Sequence, residues 1–351
     1  MGVFESIGTE GHESVHYGYD GASGLRVIVA VHSTALGPSL GGTRFYPYAN
    51  EQDALVDVLR LAKGMTYKAA CAGLDQGGGK ASIIGDPKTL GSDALFRAYG
   101  RFVDGLAGRY ITAEDVGTTV ANMEIVAEET DHVSGLPRET GGSGDPSPAT
   151  ARGVVAGMLA VSQRLWGTDD LQGRRIAIKG IGKVGMSLVD RLSQRGCDLV
   201  VADVDDAATD NAAVTYGAKV VAVEEIHRVD ADIFAPCALG ADLNATSIPE
   251  LSCAAVAGSA NNQLLTRSDA DLLAERGILY APDFVVNAGG IINIAAEHGG
   301  YTTEKARSMV DAIQQNLTQI FDAASAASIN TERAAVRMAD ARIAAAKGAE
   351  S

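Results

Sequence analysis

The sequence predicts an α/β protein of two domains: an N-terminal α/β domain over 1–145 and a doubly wound, dinucleotide-binding domain over 146–330, with 331–351 returning as a helix towards the first. Three observations carry this expectation. Short apolar runs alternate with segments of helical period through most of the chain. A glycine-rich turn at 180–185 joins one such run to one such segment. A Gly/Ser/Pro stretch, ETGGSGDPSPAT at 139–150, interrupts the alternation near the middle. The length, 351 residues, suits roughly two domains of about 150 residues.

In the first half, LRVIVAVHS (25–33), KASIIG (80–85) and RYITAED (109–115) read as strands, the last ending in two carboxylates. ALVDVLRLAKGM (54–65) and SDALFRAYGRFVDGLAG (92–108) have helical spacing, and so does ATARGVVAGMLAVSQRLWG (149–167) after the break. From Leu171 onward RRIAIKG, CDLVVAD, VDADIFAPCA and SCAAVAGSA read as strands, with the helical SLVDRLSQRG between the first two, which is the pattern of a parallel sheet. The Ala-rich segments 302–327 and 331–350 read as helices that pack back across the cleft between the domains.

Composition narrows the function. With 46% hydrophobic and 21% charged residues the chain is ordinary globular material, and its net charge of −15 disfavours nucleic acid and anionic membranes, which need clustered Lys and Arg. No apolar run approaches the ~18 residues of a membrane span, and MGVFESIGTEGHES lacks a basic segment followed by an apolar one, so a cytoplasmic protein is expected. Cys71, Cys197, Cys237 and Cys253 lie far apart with no C-x-x-C pair and read as reduced, mostly packed thiols. No metal is expected; His12 and His16, in a polar N-terminal segment, read as surface groups.

The glycine turn is the most specific local signal. Strand RRIAIK runs into Gly180-Ile181-Gly182-Lys183-Val184-Gly185 and a helix, and an acid, Asp203, ends the next strand about 20 residues on. Gly180 permits the tight turn, Gly182 lets backbone approach a pyrophosphate, Gly185 allows close helix–strand packing, and the helix start supplies N–H groups and positive dipole. Asp203 suits the adenosine ribose hydroxyls and repels a 2′-phosphate, and ADVDDAATD holds no Arg to soften that, so NAD is expected over NADP. A plain glycine turn with a surface Asp is the competing reading, and the context on both sides argues against it.

Lys80 follows Gly77-Gly78-Gly79, but Ala81 after it and Leu at position 74 rule out a Walker phosphate loop. It reads either as a desolvated base, with its pKa drawn towards ~7–8, or as a surface lysine after a flexible turn. Met65-Thr66-Tyr67-Lys68 ends a helical segment and Ala113-Glu114-Asp115 ends a strand. Two cations and an acid at one cleft would suit a bound amino acid: one ammonium for its carboxylate, one base for water, one carboxylate for protons on nitrogen. Ordinary salt bridges would read the same way.

The segments GPSLGGTRFYP (37–47), MTYKAA (65–70), GLDQGGGKASI (73–83), ITAEDVG (111–117), GDPSPAT (144–150), GIGKVG (180–185), AGSANNQL (257–264) and APDFVVNAGGIIN (281–293) together resemble the glutamate/leucine/phenylalanine/valine dehydrogenase family. The resemblance runs from about Leu36 to Ile294 and is closest to the leucine and valine members. It implies reversible, NAD-dependent oxidative deamination of a branched-chain L-amino acid (leucine, valine or isoleucine) to the 2-oxo acid and ammonia. By the same resemblance Lys68, helped by backbone at Gly41 and Gly42, binds the substrate carboxylate, Lys80 is the catalytic base, and Asp115 exchanges protons with the amine and ammonia. Thr150 and Asn262 hold the nicotinamide carboxamide and the substrate edge; Lys183, Val184, Cys237, Ala238 and Asn287 are further implied cofactor contacts. Leu40, Met65, Ala113, Ile291 and Ile294 are implied around the substrate, and a homo-oligomer is implied, with LRVIVAVHS able to pair across a two-fold axis.

The side-chain wall separates members of the family. Glutamate dehydrogenases carry a lysine where this chain has Leu40 and a serine where it has Ile294, so a glutamate γ-carboxylate here would be desolvated without partners, at a cost of several kcal/mol. Phenylalanine dehydrogenases, the alternative within the family, tend to have a smaller residue at the Leu40 position and Gly-Pro in place of Ala113-Glu114. Leucine, valine and isoleucine stay unranked, because one methylene is worth only ~1–3 kcal/mol. A 2-hydroxy-acid dehydrogenase would show an Arg/His pair, and a non-catalytic NAD-binding protein would have lost catalytic positions. A variant reducing simple ketones would have lost Lys68 and Asn262; Lys68, Lys80, Asp115 and Asn262 are all present.

Overall fold

A computed structural model describes residues 3–298 and 300–349. By its internal contacts the chain forms two units. The first takes in the chain up to Asp145, the segment Ile294–Thr302 and the chain from Ala339; the second takes in Pro146–Asn293 and Thr303–Met338. This differs from the expected division, which kept 294–302 in the second domain and began the return at 331. The helix Thr331–Ala349 changes partners along its length: Thr331 Oγ1 donates to the Tyr280 carbonyl (2.6 Å), whereas Asp340 accepts from the Tyr67 hydroxyl (2.7 Å). Residue 350 of the expected helix lies outside the described residues.

The first unit is built on five strands, β1 (Ser14–Asp20), β2 (Leu25–Ser33), β3 (Ser39–Tyr46), β4 (Gly77–Ile84) and β5 (Tyr110–Glu114), in the order β1-β2-β4-β3-β5. The pairs β1·β2 and β2·β4 are antiparallel, and β3 runs parallel to β4 and β5. Alternation along β2 sends Val27, Val29 and Val31 into one core with Phe45, Tyr99 and Tyr110, and Ile28 and Ala30 into another with Leu55, Val58 and Leu59 of helix Glu51–Cys71. Each such side chain, buried, contributes on the order of 1.5–3 kcal/mol. Because β2 is paired on both sides, the expected two-fold pairing through LRVIVAVHS is corrected: the edge strands are β1 and β5.

The start of β4 contradicts the local reading of its glycines. Gly77–Gly79 is not a flexible turn but the start of β4, a strand buried at every position. A Cβ on Gly77 would overlap the Ser33 carbonyl and one on Gly78 the backbone nitrogen of Thr66, so only hydrogen lets helix Glu51–Cys71 and β2 lie this close. The expectation that His12 is a surface group also fails. His12 is 6% exposed, its Nε2 donates to the Leu59 carbonyl (2.9 Å), and its ring meets His32 edge-on at 4.8 Å. His16 is half-buried beside Ser14 Oγ at 2.9 Å.

The second unit holds β6 (Arg175–Lys179), β7 (Asp198–Ala202), β8 (Lys219–Val220), β9 (Ala231–Pro236), β10 (Cys253–Val256) and β11 (Leu279–Tyr280) in the order β11-β10-β9-β6-β7-β8. Every neighbouring pair is parallel, the doubly wound sheet that the sequence predicts. Helix Ser147–Trp166 precedes it and stops at Gly167, whose φ of 72° suits glycine. The expected helix over 302–327 is two, Thr303–Asp311 and Ile313–Ala327. All four cysteines are free, and no helix among the described residues is long and apolar enough to cross a membrane.

Candidate active site

In the first unit the parallel strands β4, β3 and β5 bring a line of charged groups together. Lys80, 6% exposed within β4, places Nζ 2.7 Å from Oδ2 of Asp115, the residue that follows β5. Arg44 of β3 lies 3.5 Å from the same oxygen through Nε and 2.7 Å from Asp57 Oδ2 through Nη1. Asp57 also accepts from the Tyr48 hydroxyl at 2.7 Å. Burial pushes the Asp115 carboxyl up, but the charge and close contact of Lys80, with Arg44 behind it, outweigh burial and hold it below the usual carboxylate range. Burial first, with Asp57 adding to it, pushes the Tyr48 phenol up to about 12, which keeps it a donor. The loop after β5 is fixed by Thr118, whose Oγ1 accepts from the Asp115 N–H (2.9 Å) and donates to the Thr43 carbonyl (2.9 Å).

Lys68 is half-buried near the end of helix Glu51–Cys71, one turn beyond Met65 and two residues beyond Thr66, which lies against Gly78. Gly78 and Lys80 share one face of their strand, so the end of this helix and Lys80 face the same side of the sheet. The pairing of β3 with β4 passes from Leu40–Gly78 to Thr43–Ala81 and leaves out Gly41 and Gly42. A Cβ on Gly42 would sit 2.9 Å from the Asp115 Cβ. Leu40 (1% exposed) and Ala113 (3%) are buried, and Ile294 is half-buried. A Cβ on Gly135 would fall 3.9 Å from Ile294 Cδ1 and 4.0 Å from Ala113 Cβ, so these three border one space. Ile291, one turn before Ile294 on helix Gly289–Ala295, is buried.

The second unit presents a candidate site of its own, made chiefly of backbone. Gly180, at φ 92°, turns the chain from β6 towards helix Lys183–Ser193; a Cβ there would meet the Ala238 nitrogen at 2.7 Å. A Cβ on Gly185 would overlap the Gly180 carbonyl, whereas one on Gly182 would meet nothing within 4 Å. Gly182 is thus open on the face where a pyrophosphate would approach, and no side chain caps the helix start that carries Lys183 and Val184. Asp203, just past β7, accepts from the Ile181 N–H (2.6 Å) and the Asp205 N–H (3.0 Å), so it also ties the glycine turn to the sheet. Cys237 follows β9 and donates its N–H to the Lys179 carbonyl at 2.7 Å. These features fit a dinucleotide.

The remaining expected contacts in this unit lie in the loop after β10, at the end of helix Asp283–Val286 and on helix Ser147–Trp166. Asn262 is exposed at φ 52°, a conformation asparagine tolerates better than most residues. Asn287 Nδ2 donates to Asn261 Oδ1 (2.9 Å) and the Ser259 carbonyl (3.2 Å), and the fully buried Gln263 donates to the carbonyls of Gly258 (2.8 Å) and Ala260 (3.1 Å). Thr150 Oγ1 donates to the Pro146 carbonyl at 3.1 Å and lies against Gly290. Sequence reasoning missed Arg44, Asp57, Tyr48, Gly135 and the ion pair of Lys179 with Asp242 (2.5 Å). Arg44 sits inside GPSLGGTRFYP, but its partners depend on how β3 meets helix Glu51–Cys71, which no local pattern encodes.

Residues 14–132 match a family model described as Glu/Leu/Phe/Val dehydrogenase, dimerisation domain, and residues 201–350 one described as Glutamate/Leucine/Phenylalanine/Valine dehydrogenase. The chain is 49% identical to leucine dehydrogenase of Geobacillus stearothermophilus, over 98% of this chain and 94% of that protein. It is 47% identical to valine dehydrogenase of Streptomyces virginiae, over 95% and 94%. Among solved structures it resembles L-tryptophan dehydrogenase from Nostoc punctiforme, with a TM-score of 0.87 and 43% identity over 98% of this chain and 99% of that one.

Proposed function

The chain belongs to the glutamate/leucine/phenylalanine/valine dehydrogenase family, and from that premise we propose that it is an NAD-dependent enzyme that reversibly deaminates a branched aliphatic L-amino acid to its 2-oxo acid and ammonia. The observation that carries this reading is the pair of buried Lys80 and half-buried Asp115, 2.7 Å apart, together with two apolar side chains, Ala113 and Ile294, that border one space and carry no charge. A bound dinucleotide supplies the acceptor for the hydride from the substrate Cα. Lys68, with backbone at Gly41 and Gly42, holds the substrate carboxylate. Lys80 takes a proton from the water that adds to the iminium carbon, and Asp115 moves protons to and from the nitrogen. Met65 and Ile291 border the substrate; Thr150, Asn262, Asn287, Cys237 and Ala238 hold the cofactor edge.

The choice of NAD rests on Asp203, whose carboxylate repels a 2′-phosphate. Homo-oligomeric assembly is part of the reading, supported by the match to a dimerisation domain and by the open edge of β1. A cytoplasmic location accords with four free cysteines. The test is NADH formation from L-leucine, L-valine, L-isoleucine, L-phenylalanine, L-tryptophan and L-glutamate, repeated with NADP⁺. The highest kcat/KM is expected for an aliphatic substrate with NAD⁺. Preference for tryptophan, the substrate in the name of the solved relative, would keep the chemistry and overturn the narrow wall; no turnover of any would overturn the reading.

A further inference from the structure

A cavity of about 460 Å³ in the second unit has three arginines in its wall. Arg152 comes from helix Ser147–Trp166, Arg191 from the last turn of helix Lys183–Ser193, and Arg195 from just beyond it. Asp311 and the apolar Val155 and Leu159 share the wall. Arg152 is neutralised and oriented by two parallel bonds to Asp311, Nε to Oδ1 and Nη2 to Oδ2, both 2.6 Å. Arg191 is different: its Nε is buried and finds no hydrogen-bond partner among the described residues. Burial first, then the charge of Arg152, pulls the Arg191 guanidinium below its ordinary range; Arg307 and Arg195 add to this and Asp190 opposes it.

A basic residue at the end of a helix commonly answers the helix dipole, and that accounts for Arg191 alone. It does not account for Arg152 and Arg307, which come from two other helices, nor for a buried N–H without an acceptor. Arg152 is already paired with Asp311, so in a chain with a net charge of −15 Arg191, Arg195 and the nearby Arg307 leave positive charge in excess around the cavity.

The geometry points to a binding site for a small phosphate monoester, with Arg191 and Arg195 gripping phosphate oxygens and the Val155–Leu159 wall taking the carbon body. Planar guanidinium forks match phosphate oxygens in pairs. The volume lies within the roughly 300–1,000 Å³ of small-molecule sites and exceeds what a bare ion needs. The site is separate from the glycine turn, because Arg191 and Gly182 are at opposite ends of one helix, about 13.5 Å apart at 1.5 Å per residue.

The test is calorimetric titration of inorganic phosphate and of glycerol phosphate into the full chain, against chloride at equal ionic strength, with and without NAD⁺. Saturable binding is expected that NAD⁺ does not displace and that weakens about tenfold or more in Arg191→Gln. Arg195→Gln, at an exposed position, gives the same readout should Arg191→Gln fail to fold. Equal affinity in both variants and the wild type, displacement by NAD⁺, tighter binding of malonate than of phosphate, or no saturable heat would each overturn the proposal. None of these outcomes depends on which amino acid the enzyme oxidises.

Discussion

Two carboxyl groups shielded from water, half-buried Asp115 in the first unit and buried Glu332 in the second, are driven in opposite directions by their neighbours. Burial raises both. Asp115 in the first unit faces Lys80 and Arg44 and ends below its ordinary value of 3.8. Glu332 in the second, on helix Thr331–Ala349, faces Asp283 with only Arg267 to offset it, and burial first and Asp283 second carry it from 4.5 to about 7. With burial raising both, the sign of the neighbouring charges decides which of the two ends below its ordinary value. The two candidate sites differ in the same spirit. The first is made of charged side chains over a glycine sheet; the second is made of backbone N–H groups and one acid.

The largest effect should come from the sheet under the charges. Gly78→Ala is expected to cost about 3 kcal/mol or more, since its Cβ would overlap the Thr66 backbone, which cannot yield as a side-chain tip can. Urea denaturation reads this out, and near-wild-type stability would show that helix Glu51–Cys71 does not rest on β4 as described. Lys80→Ala should lower kcat by ~10²–10⁴-fold while leaving dinucleotide affinity nearly intact. Loss of dinucleotide binding in that variant would mean the two candidate sites are not separable as drawn.

The carboxyl comparison gives a pH test. A raised acid keeps in the folded state a proton that the unfolded state has lost, so Glu332 contributes stability below about 4.5 that is lost as pH rises through about 7. Glu332→Gln should remove this loss and gain up to about 3 kcal/mol at pH above 7 relative to the wild type. Asp115 has the opposite sign: its contribution is present above 3.8 and is lost as pH falls through its lower folded value. Parallel stability–pH curves for wild type and Glu332→Gln would contradict the contrast. Smallest, Asp203→Ser should weaken NAD⁺ binding about tenfold and narrow the preference over NADP⁺, through the lost bond to Ile181 and the lost negative charge.

The candidate site of the second unit was the more legible in the sequence because its information is local. A strand, a glycine turn, a helix and an acid follow one another, and β6, β7, β9 and β10 all form where the apolar runs predict them. The candidate site of the first unit was legible in its residues but not in its scaffold. β3 and the start of β4 escaped detection because their glycines, read locally, signal turns, and only contact with Ser33, Thr66 and Asp115 explains them. His12 was misread for the same reason: the acceptor that allows its burial, the Leu59 carbonyl, is 47 residues away.

The bond between Arg342 and the helix that carries Lys68 has a consequence for biosynthesis. Arg342 donates to the carbonyls of Ala69 (3.3 Å) and Ala70 (3.0 Å), which end that helix, and to Asp75 (3.1 Å). It is translated 273 residues after Ala69. On the ribosome, the last turn of the Lys68 helix therefore stays without this cap until residue 342 has been made, and a nascent chain stalled before Arg342 would carry every proposed catalytic residue yet lack the contact that seats one of them.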